Sequence, residues 1–365
     1  MALASGSPFY MAPASAKKMA ADLSTLPAWY ADKESDVWVS DKRQVEWLSS
    51  ASPLPLSVGG VLDFSAGYEE IIPWGWSPVL IRRLGDGMSE KVNVDRIREL
   101  SSRRTAVNLL PLLRRQHTVG ESRWLTSLEE VLTYASQYPK ILLKAPWSGS
   151  GKGIQPLAGS PDDNLYGWAK RIIALQGGVV GEPFYNKVKD FAMEFCVSDE
   201  GVSFVGYSLF EADTRGIYKE NCLASDETIE RTLAAYVPLS VLQNLREKLL
   251  QQIALLADAS YRGYLGVDMM IVQTEEGYAV HPCVEVNWRM NMGVVSRLFF
   301  DRYVSPEAVG RYVIEFYSRL GDALTAHEEM RLKYPLCLKE GKIASGYVSL
   351  TPVFHDTNYQ IYVWV

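Results

Sequence analysis

YLGVDMMIVQTEEGYAVHPCVEVN, residues 264–287, decides the reading of this 365-residue chain. Two apolar runs flank the four-residue turn TEEG, the pattern of a β-hairpin. Polar residues interrupt these runs at Asp268, Glu285 and Asn287. Glu285 and Asn287 are two apart on a strand and share one face. If the turn sets the register, Gln273 opposes Tyr278 and Asp268 opposes Cys283, leaving Asp268 diagonal to Glu285 on the same face. Two carboxylates and an amide oxygen then converge among apolar neighbours. Like charges that close need a cation between them, or one must take a proton. An all-oxygen set suits magnesium next to nucleotide phosphates. The same residues also read as the solvent-facing side of a hairpin. Pro282 cannot donate to the ladder and marks an edge or a bulge. His281, on the same side as Glu285, reads either as a tuned proton carrier or as a hydrogen-bonded structural histidine.

Upstream, KAPWSGSGKGI (144–154) follows the apolar run ILL and has the composition of a phosphate loop. It is not a Walker A loop, because Pro146 stands where the first glycine belongs and Gly153 where a magnesium-binding Ser or Thr belongs. It is not a dinucleotide fingerprint either, since the third glycine is misplaced. What remains is a strand ending in Lys144, followed by small residues whose backbone N–H groups can wrap phosphate oxygens. Taken alone, the stretch reads equally well as a Gly/Ser surface turn with a solvated lysine.

Around these two stretches the sequence alternates helix and strand. Helices are expected over 15–31, 40–50, 91–116, 127–138 with a Ser127/Glu130 capping box, 160–177, 239–260 and 305–321, and strands over 36–39, 139–147, 178–184, 190–198 and 201–213. Residues 213–237 read as a long polar loop, and the tail from 343 as β-rich. At 47% hydrophobic and 22% charged residues the composition is that of a globular chain of more than one folding unit. A net charge of −6 argues against a general nucleic-acid binder. No apolar run is long enough to cross a bilayer, and the N-terminus does not read as a signal peptide. Four scattered cysteines without a CxxC pair suggest reduced thiols in a cytoplasmic protein. The tryptophans of PWGWSP (73–78) read as packing residues.

Together these residues resemble the ATP-grasp superfamily, over roughly residues 95 to 300. Four features match in order: Lys144 before SGSGKG; the strand VVGEPF with Glu182; Asp190 in DFAMEF, eight residues on; and the hairpin GVDMMIV…VEVNWR. The resemblance implies an α+β / α/β chain of three parts. A smaller α/β domain (1–90) would precede two α+β lobes holding ATP: a small lobe with the glycine loop (91–185), and a C-terminal lobe with the metal hairpin and a substrate loop (186–365). It implies that Ser148, Gly149, Ser150, Gly151 and Gly153 cover the ATP phosphates, with Lys144 beneath them. Glu182 and Phe184 would meet the adenine, Asp190 the ribose, and Asp268, Glu285 and Asn287 magnesium, or manganese in its place. The family usually has a second phosphate-binding lysine in the preceding helix. Here Arg104 takes that part, with Arg103 as the alternative, and arginine can bind phosphate bidentately. Where peptide-forming members often carry an arginine two residues before the hairpin aspartate, this chain has Gly266. Arg289 resembles the EVNxR form and would stabilise an acyl phosphate.

The activity this implies is ATP-dependent joining of a small-molecule carboxylate to an amine or thiol through an acyl phosphate. The partners are then small molecules rather than nucleic acid or membrane, and a homodimer is common in the family. Arg215, Tyr218, Lys219 and Asn221 are candidate substrate contacts, in a stretch that reads equally as a solvated loop. The alternatives are an ATP-grasp-like small-molecule kinase and a nucleotide-binding module without turnover. The full Asp268/Glu285/Asn287 set speaks against the module.

Overall fold

The computed structural model describes residues 2–63, 68–85, 92–148, 153–159, 162–212 and 218–365. The chain forms two compact units, the first from Met1–Tyr10, Pro73–Ile217 and Glu230–Asn291, the second from Met11–Ile72, Tyr218–Ile229 and Met292–Val365. Both mix helices with antiparallel strands, which is the fold class expected from the sequence.

The first unit contains eight described strands: β1 (Arg123–Leu125), β2 (Lys140–Lys144), β3 (Ile154–Ala158), β4 (Val179–Pro183), β5 (Lys187–Ser198), β6 (Gly201–Ala212), β7 (Gly263–Thr274) and β8 (Gly277–Asn287). A small antiparallel sheet has the order β1-β4-β2-β3. Its core of Leu125, Val131, Tyr134, Ile141, Leu143, Leu157, Ile172 and Val179 is closed by helices Leu128–Ala135 and Asp163–Gln176. The second of these helices stops at Gly177, whose φ of 81° is the left-handed conformation that glycine adopts without strain. The other strands of the unit run β8-β7-β5-β6, all antiparallel. Helix Leu239–Ala257 packs against β6 and β5. Its fully buried Leu242, Leu245, Leu249 and Ile253 recur at the three- and four-residue spacing of one helix face, each worth roughly 1.5–3 kcal/mol in burial.

The expected helix over 91–116 is two helices, α1 (Val94–Leu100) and α2 (Arg103–Leu113). The break falls at Ser101–Ser102, and the Ser102 hydroxyl caps α2 by accepting from the Arg104 N–H at 3.3 Å. This puts Arg103 at the first position of a helix. In the hairpin, Gln273 does oppose Tyr278, but Asp268 opposes Glu285 rather than Cys283. Between Met270↔His281 and Asp268↔Glu285, β8 takes four residue steps against two on β7. The excess is a bulge containing Pro282, the residue with no N–H to give.

In the second unit, strands Tyr218–Leu223, Gly310–Phe316, Tyr359–Trp364 and Tyr347–Ser349 neighbour one another in that order, and Asp36–Trp38 pairs in parallel with Gly59–Val61. The N-terminal segment is tied to the C-terminal one. The fully buried Trp29 donates its indole N–H to the Leu350 carbonyl at 2.6 Å, and the Asp22 carboxylate accepts from the backbone of Asn358 and Tyr359. Two expectations are corrected here. The stretch 213–237 is not one loop: it contains the strand Tyr218–Leu223 and the helix Asp226–Ala234. No helix runs from Ser305 to Gly321; Gly310–Phe316 is a strand, and Gly321 caps the start of helix Asp322–Lys333. The β-branched and aromatic run Tyr312-Val313-Ile314 has strand partners on two sides, which outweighs the Pro and Gly punctuation. Among the described residues, no helix is long and apolar enough to cross a membrane.

Candidate active site

On one face of β5, β7 and β8 the chemistry-bearing residues stand in cross-strand rows. The first row is Glu194–Gly266–Asn287, the second Ala192–Asp268–Glu285, and the third Asp190–Met270–His281. Directly opposed residues point the same way, so the bulge keeps His281, Glu285 and Asn287 on the face that carries Asp268. The Asn287 amide donates to the Asp268 carboxylate at 3.0 Å, and its oxygen accepts from the Arg289 guanidinium at 3.0 Å. Arg289 leaves the end of β8 beside Gly75, where a Cβ would come within 3.2 Å of the Arg289 Cβ. The tryptophan-rich 73–78 segment thus packs beneath this arginine, and the Trp74 carbonyl accepts from the Met290 N–H.

The charge on this face is excessive. Burial and the neighbouring Glu285 push the Asp268 carboxyl up to about 7. Burial, with a smaller push from Asp268, raises Glu194 to about 8. Lys187 pairs with Asp190 and Arg103 with Glu285, but among the described residues no lysine or arginine pairs with Asp268 or Glu194. Among those residues, no group of three or more His, Cys, Asp and Glu side chains is spaced to hold a metal by itself. The candidate set is two opposed carboxylates and one amide. It offers hard oxygen ligands, and a cation between Asp268 and Glu285 would remove the repulsion that burial intensifies, so these residues fit magnesium.

Arg103 joins this face to the glycine loop. It is buried, and its guanidinium donates to the Ala145 carbonyl at 2.7 Å, to Ser148 Oγ at 2.5 Å and to Glu285 Oε2 at 3.0 Å. Arg104, the next residue, turns its guanidinium over the Trp124 ring, 5.4 Å from the centroid. Helix geometry explains the difference, since consecutive residues point about 100° apart. Both described ends of the glycine loop are fixed: the Gly153 carbonyl accepts from the Ala145 N–H, and a Cβ on Gly153 would fall 2.9 Å from that of Ser148. Gly149, Ser150 and Gly151 lie outside the described residues, as does Arg215.

Lys144 and Glu182 end up on each other. They are buried on neighbouring strands with Nζ and Oε2 2.5 Å apart, and Ser122 donates to the second Glu182 oxygen at 3.3 Å. Phe184 is half exposed, with the Lys140 ammonium 3.6 Å over its ring. His281 is fully buried, and neither ring nitrogen has a hydrogen-bond partner among the described residues. Burial lowers its pKa to about 4. Each such orphaned polar atom costs about 1–3 kcal/mol. Tyr218, Lys219 and Asn221 lie on a strand of the second unit, Asn221 buried and Lys219 exposed.

Sequence reading passed over one acidic member of the first unit's site. Glu194 is buried and accepts from the Asn291 amide at 2.9 Å. Its signal was its spacing, four residues from Asp190 on one strand and therefore on the same face. Gly266 is what makes room for it, since a Cβ there would collide with the Glu194 carboxylate and the Asn291 amide.

The sequence matches no protein-family model and no curated protein. Among solved structures, the chain is similar to N5-carboxyaminoimidazole synthetase from Staphylococcus aureus complexed with ADP, at 14% identity over 73% of this chain and 67% of that one, with a TM-score of 0.44. It is similar to biotin carboxylase from Campylobacter jejuni in its β,γ-ATP complex, at 13% identity over 74% of this chain and 64% of that one, with a TM-score of 0.47. It is also similar to N5-carboxyaminoimidazole synthase from Aspergillus clavatus in complex with ADP and 5-aminoimidazole ribonucleotide, at 14% identity over 92% and 95%, with a TM-score of 0.48.

Proposed function

We propose that this chain is an ATP-grasp ligase that activates a small-molecule carboxylate with ATP and transfers the acyl group to an amine or thiol. One observation carries the reading. Asp268 and Glu285 face each other with Asn287 beside them, and Arg103 reaches from the start of the glycine loop to Glu285. This is a metal-ready carboxylate pair within one arginine's length of a phosphate-loop sequence.

Asp268, Glu285 and Asn287 would hold magnesium or manganese, which screens phosphate charge and orients the transferred group when bound. Arg103 and Lys144 would supply fixed positive charge to the phosphates, with Ser148, Gly149, Ser150, Gly151 and Gly153 giving backbone and hydroxyl donors. The Arg103–Glu285 and Lys144–Glu182 pairs hold both cations in place before ligand arrives. Glu182, Phe184 and Asp190 would face the nucleoside. The carboxylate oxygen attacks the γ-phosphorus and ADP leaves; the amine or thiol then attacks the acyl carbon and phosphate leaves. Arg289, already directed at Asn287, would stabilise the acyl phosphate. In this scheme the nucleotide-holding parts of 91–185 and 186–365 are those that lie in the first unit. A homodimer in the cytoplasm is the working state.

The test has two stages. Saturating Mg-ATP should raise the melting temperature of the full chain, because a ligand that binds only the folded state stabilises it. An ADP-release screen over amino acids, dipeptides and small acids, each with and without an added amine or thiol, should then find a pair of acceptors that gives ADP, phosphate and a new amide or thioester by mass spectrometry. No thermal shift with Mg-ATP would sink the reading.

A further inference from the structure

The second unit holds a pocket of its own, of about 310 Å³. That is the small end of ligand sites, which span roughly 300–1,000 Å³. Three elements wall it: the start of helix Asp226–Ala234, helix Met292–Tyr303 with the residues that follow it, and strand Lys342–Ser345. One wall carries Arg297, a buried cation. Its guanidinium donates to both carboxylate oxygens of Asp301, four residues on, to the Ala224 carbonyl at 2.7 Å and to Asp226 at 3.4 Å. It also lies over the Phe300 ring, 4.5 Å from the centroid. A buried arginine tied in this way has its charge answered inside the protein.

Two other charges on the pocket wall are not answered. Lys342 is half-buried, and its ammonium donates to the Asp301 main-chain carbonyl at 2.7 Å. Among the described residues it pairs with no carboxylate, and two of its three N–H donors are left over. Glu227, exposed in the first turn of helix Asp226–Ala234, pairs with no lysine or arginine among those residues. The two flank the Arg297 network, Lys342 on its Asp301 side and Glu227 beside Asp226. The same pocket has an apolar wall of Phe300, Val304 and Pro306.

We propose that this pocket binds a free α-amino acid with an apolar side chain, its carboxylate on Lys342 and its ammonium on Glu227. The class of ligand follows from the charges left over. A ligand that is only an anion would meet three carboxylates with one uncommitted cation to hold it, and one that is only a cation would leave Lys342 unanswered. A zwitterion meets both residual charges with charge-assisted hydrogen bonds. The apolar wall then takes a hydrocarbon side chain out of water. Arg297 acts through its neighbours, by holding Asp226 and Asp301 in place on either side. The site is built from second-unit residues alone and does not depend on the ATP reading of the first unit.

The experiment is calorimetry on the full chain without nucleotide, titrating L-valine, L-leucine and L-methionine singly. At least one should bind. For the tightest of them, the carboxylic acid lacking the ammonium and the amine lacking the carboxylate should each bind at least about tenfold more weakly, the loss of one charged hydrogen bond. Glu227→Gln and Lys342→Gln should each weaken the amino acid by a similar factor, and Lys342→Arg, which keeps the cation, should stay within about threefold of the wild type. The ligand-free variants should melt like the wild type. Absence of binding by all three amino acids at millimolar concentration would overturn the assignment. So would an acid or amine analogue that binds as tightly as the amino acid, because the two charges would then not be read together. An amino acid that binds the two glutamine variants as it binds the wild type sits elsewhere, which overturns the assignment and leaves the ligase reading standing.

Discussion

The first unit manages buried charge in two opposite ways. On the small sheet, Lys144 and Glu182 sit on neighbouring strands, buried and paired, so the charge cancels inside the protein. On the β5-β7-β8 face, Asp190, Glu194, Asp268 and Glu285 gather, and burial drives two of them toward the protonated form. A closed ion pair is finished without a ligand, whereas a surplus of carboxylates is finished only by a cation or a proton. The difference separates a preset, neutral wall from a face built to receive positive charge. Removing charge should therefore cost activity with little loss of stability on the face, and both stability and activity on the wall, where Lys144 is also the proposed phosphate contact.

The largest effect is expected from Glu285→Gln. The amide still accepts from Arg103 but cannot be an anionic ligand of the proposed magnesium site, so the proposed turnover should fall by about 10²–10³-fold with the melting temperature of the apo protein nearly unchanged. A folded Glu285→Gln enzyme with wild-type ADP release would break the comparison at once. Lys144→Ala should behave differently. It strands the Glu182 carboxylate in a buried site, which typically costs about 3–5 kcal/mol, and it also removes turnover. Denaturant titration separates the two effects: adding Glu182→Gln to Lys144→Ala should restore most of the stability and none of the activity. If Lys144→Ala alone left stability untouched, the wall would not be the closed pair described here.

Much of this was legible in the sequence, because the informative residues sit on regular elements. Period-two alternation put Glu285 and Asn287 on one face, and the turn at TEEG set the first pairs of the hairpin correctly. What was not legible depended on a change of register or rotation. The bulge at Pro282 turned a diagonal pairing of Asp268 and Glu285 into a direct one, and a count from the turn cannot foresee two extra residues. The break at Ser102 decided that Arg103 rather than Arg104 reaches Glu285, and two adjacent arginines look alike until the helix start is fixed. Glu182 was read for a ligand, and its pairing with Lys144, 38 residues away in sequence, is a contact that no spacing shows. The strand at Gly310–Phe316 was hidden by proline and glycine signals that suit a helix equally well.

Gly266→Ala probes the face by crowding rather than by charge. The added methyl would meet the Glu194 carboxylate and the Asn291 amide. Overpacking at such a site costs about 1–3 kcal/mol, read by urea unfolding. Glu194→Ala in the same chain should recover most of that loss, since two residues in contact do not act additively. A fully additive double variant would mean that Glu194 is not what Gly266 accommodates.

The smallest effect concerns pH. A carboxyl whose folded pKa lies above its unfolded value binds more protons in the folded state, so its contribution to stability is complete in acid and is lost as pH rises through the folded value. For Asp268 that loss runs from about 4 to about 7, and for Glu194 from about 4.5 to about 8. The buried histidines act in the other direction. His281 is lowered from 6.5 to about 4 and His327 is also lowered, so their contribution is complete above 6.5 and is lost as pH falls, for His281 toward 4. Below 6.5 the two trends oppose each other. Between 6.5 and 8 the carboxylates act without that opposition, and the melting temperature of the metal-free protein should decline across this window. Asp268→Asn should flatten the decline by removing one of the two groups. Saturating magnesium should flatten it in the wild type, because a bound cation favours the ionised carboxylates that rising pH produces. A wild-type melting temperature that climbs from pH 6.5 to 8 without metal would mean that the face carries no uncompensated charge, and the contrast with the Lys144–Glu182 wall would disappear.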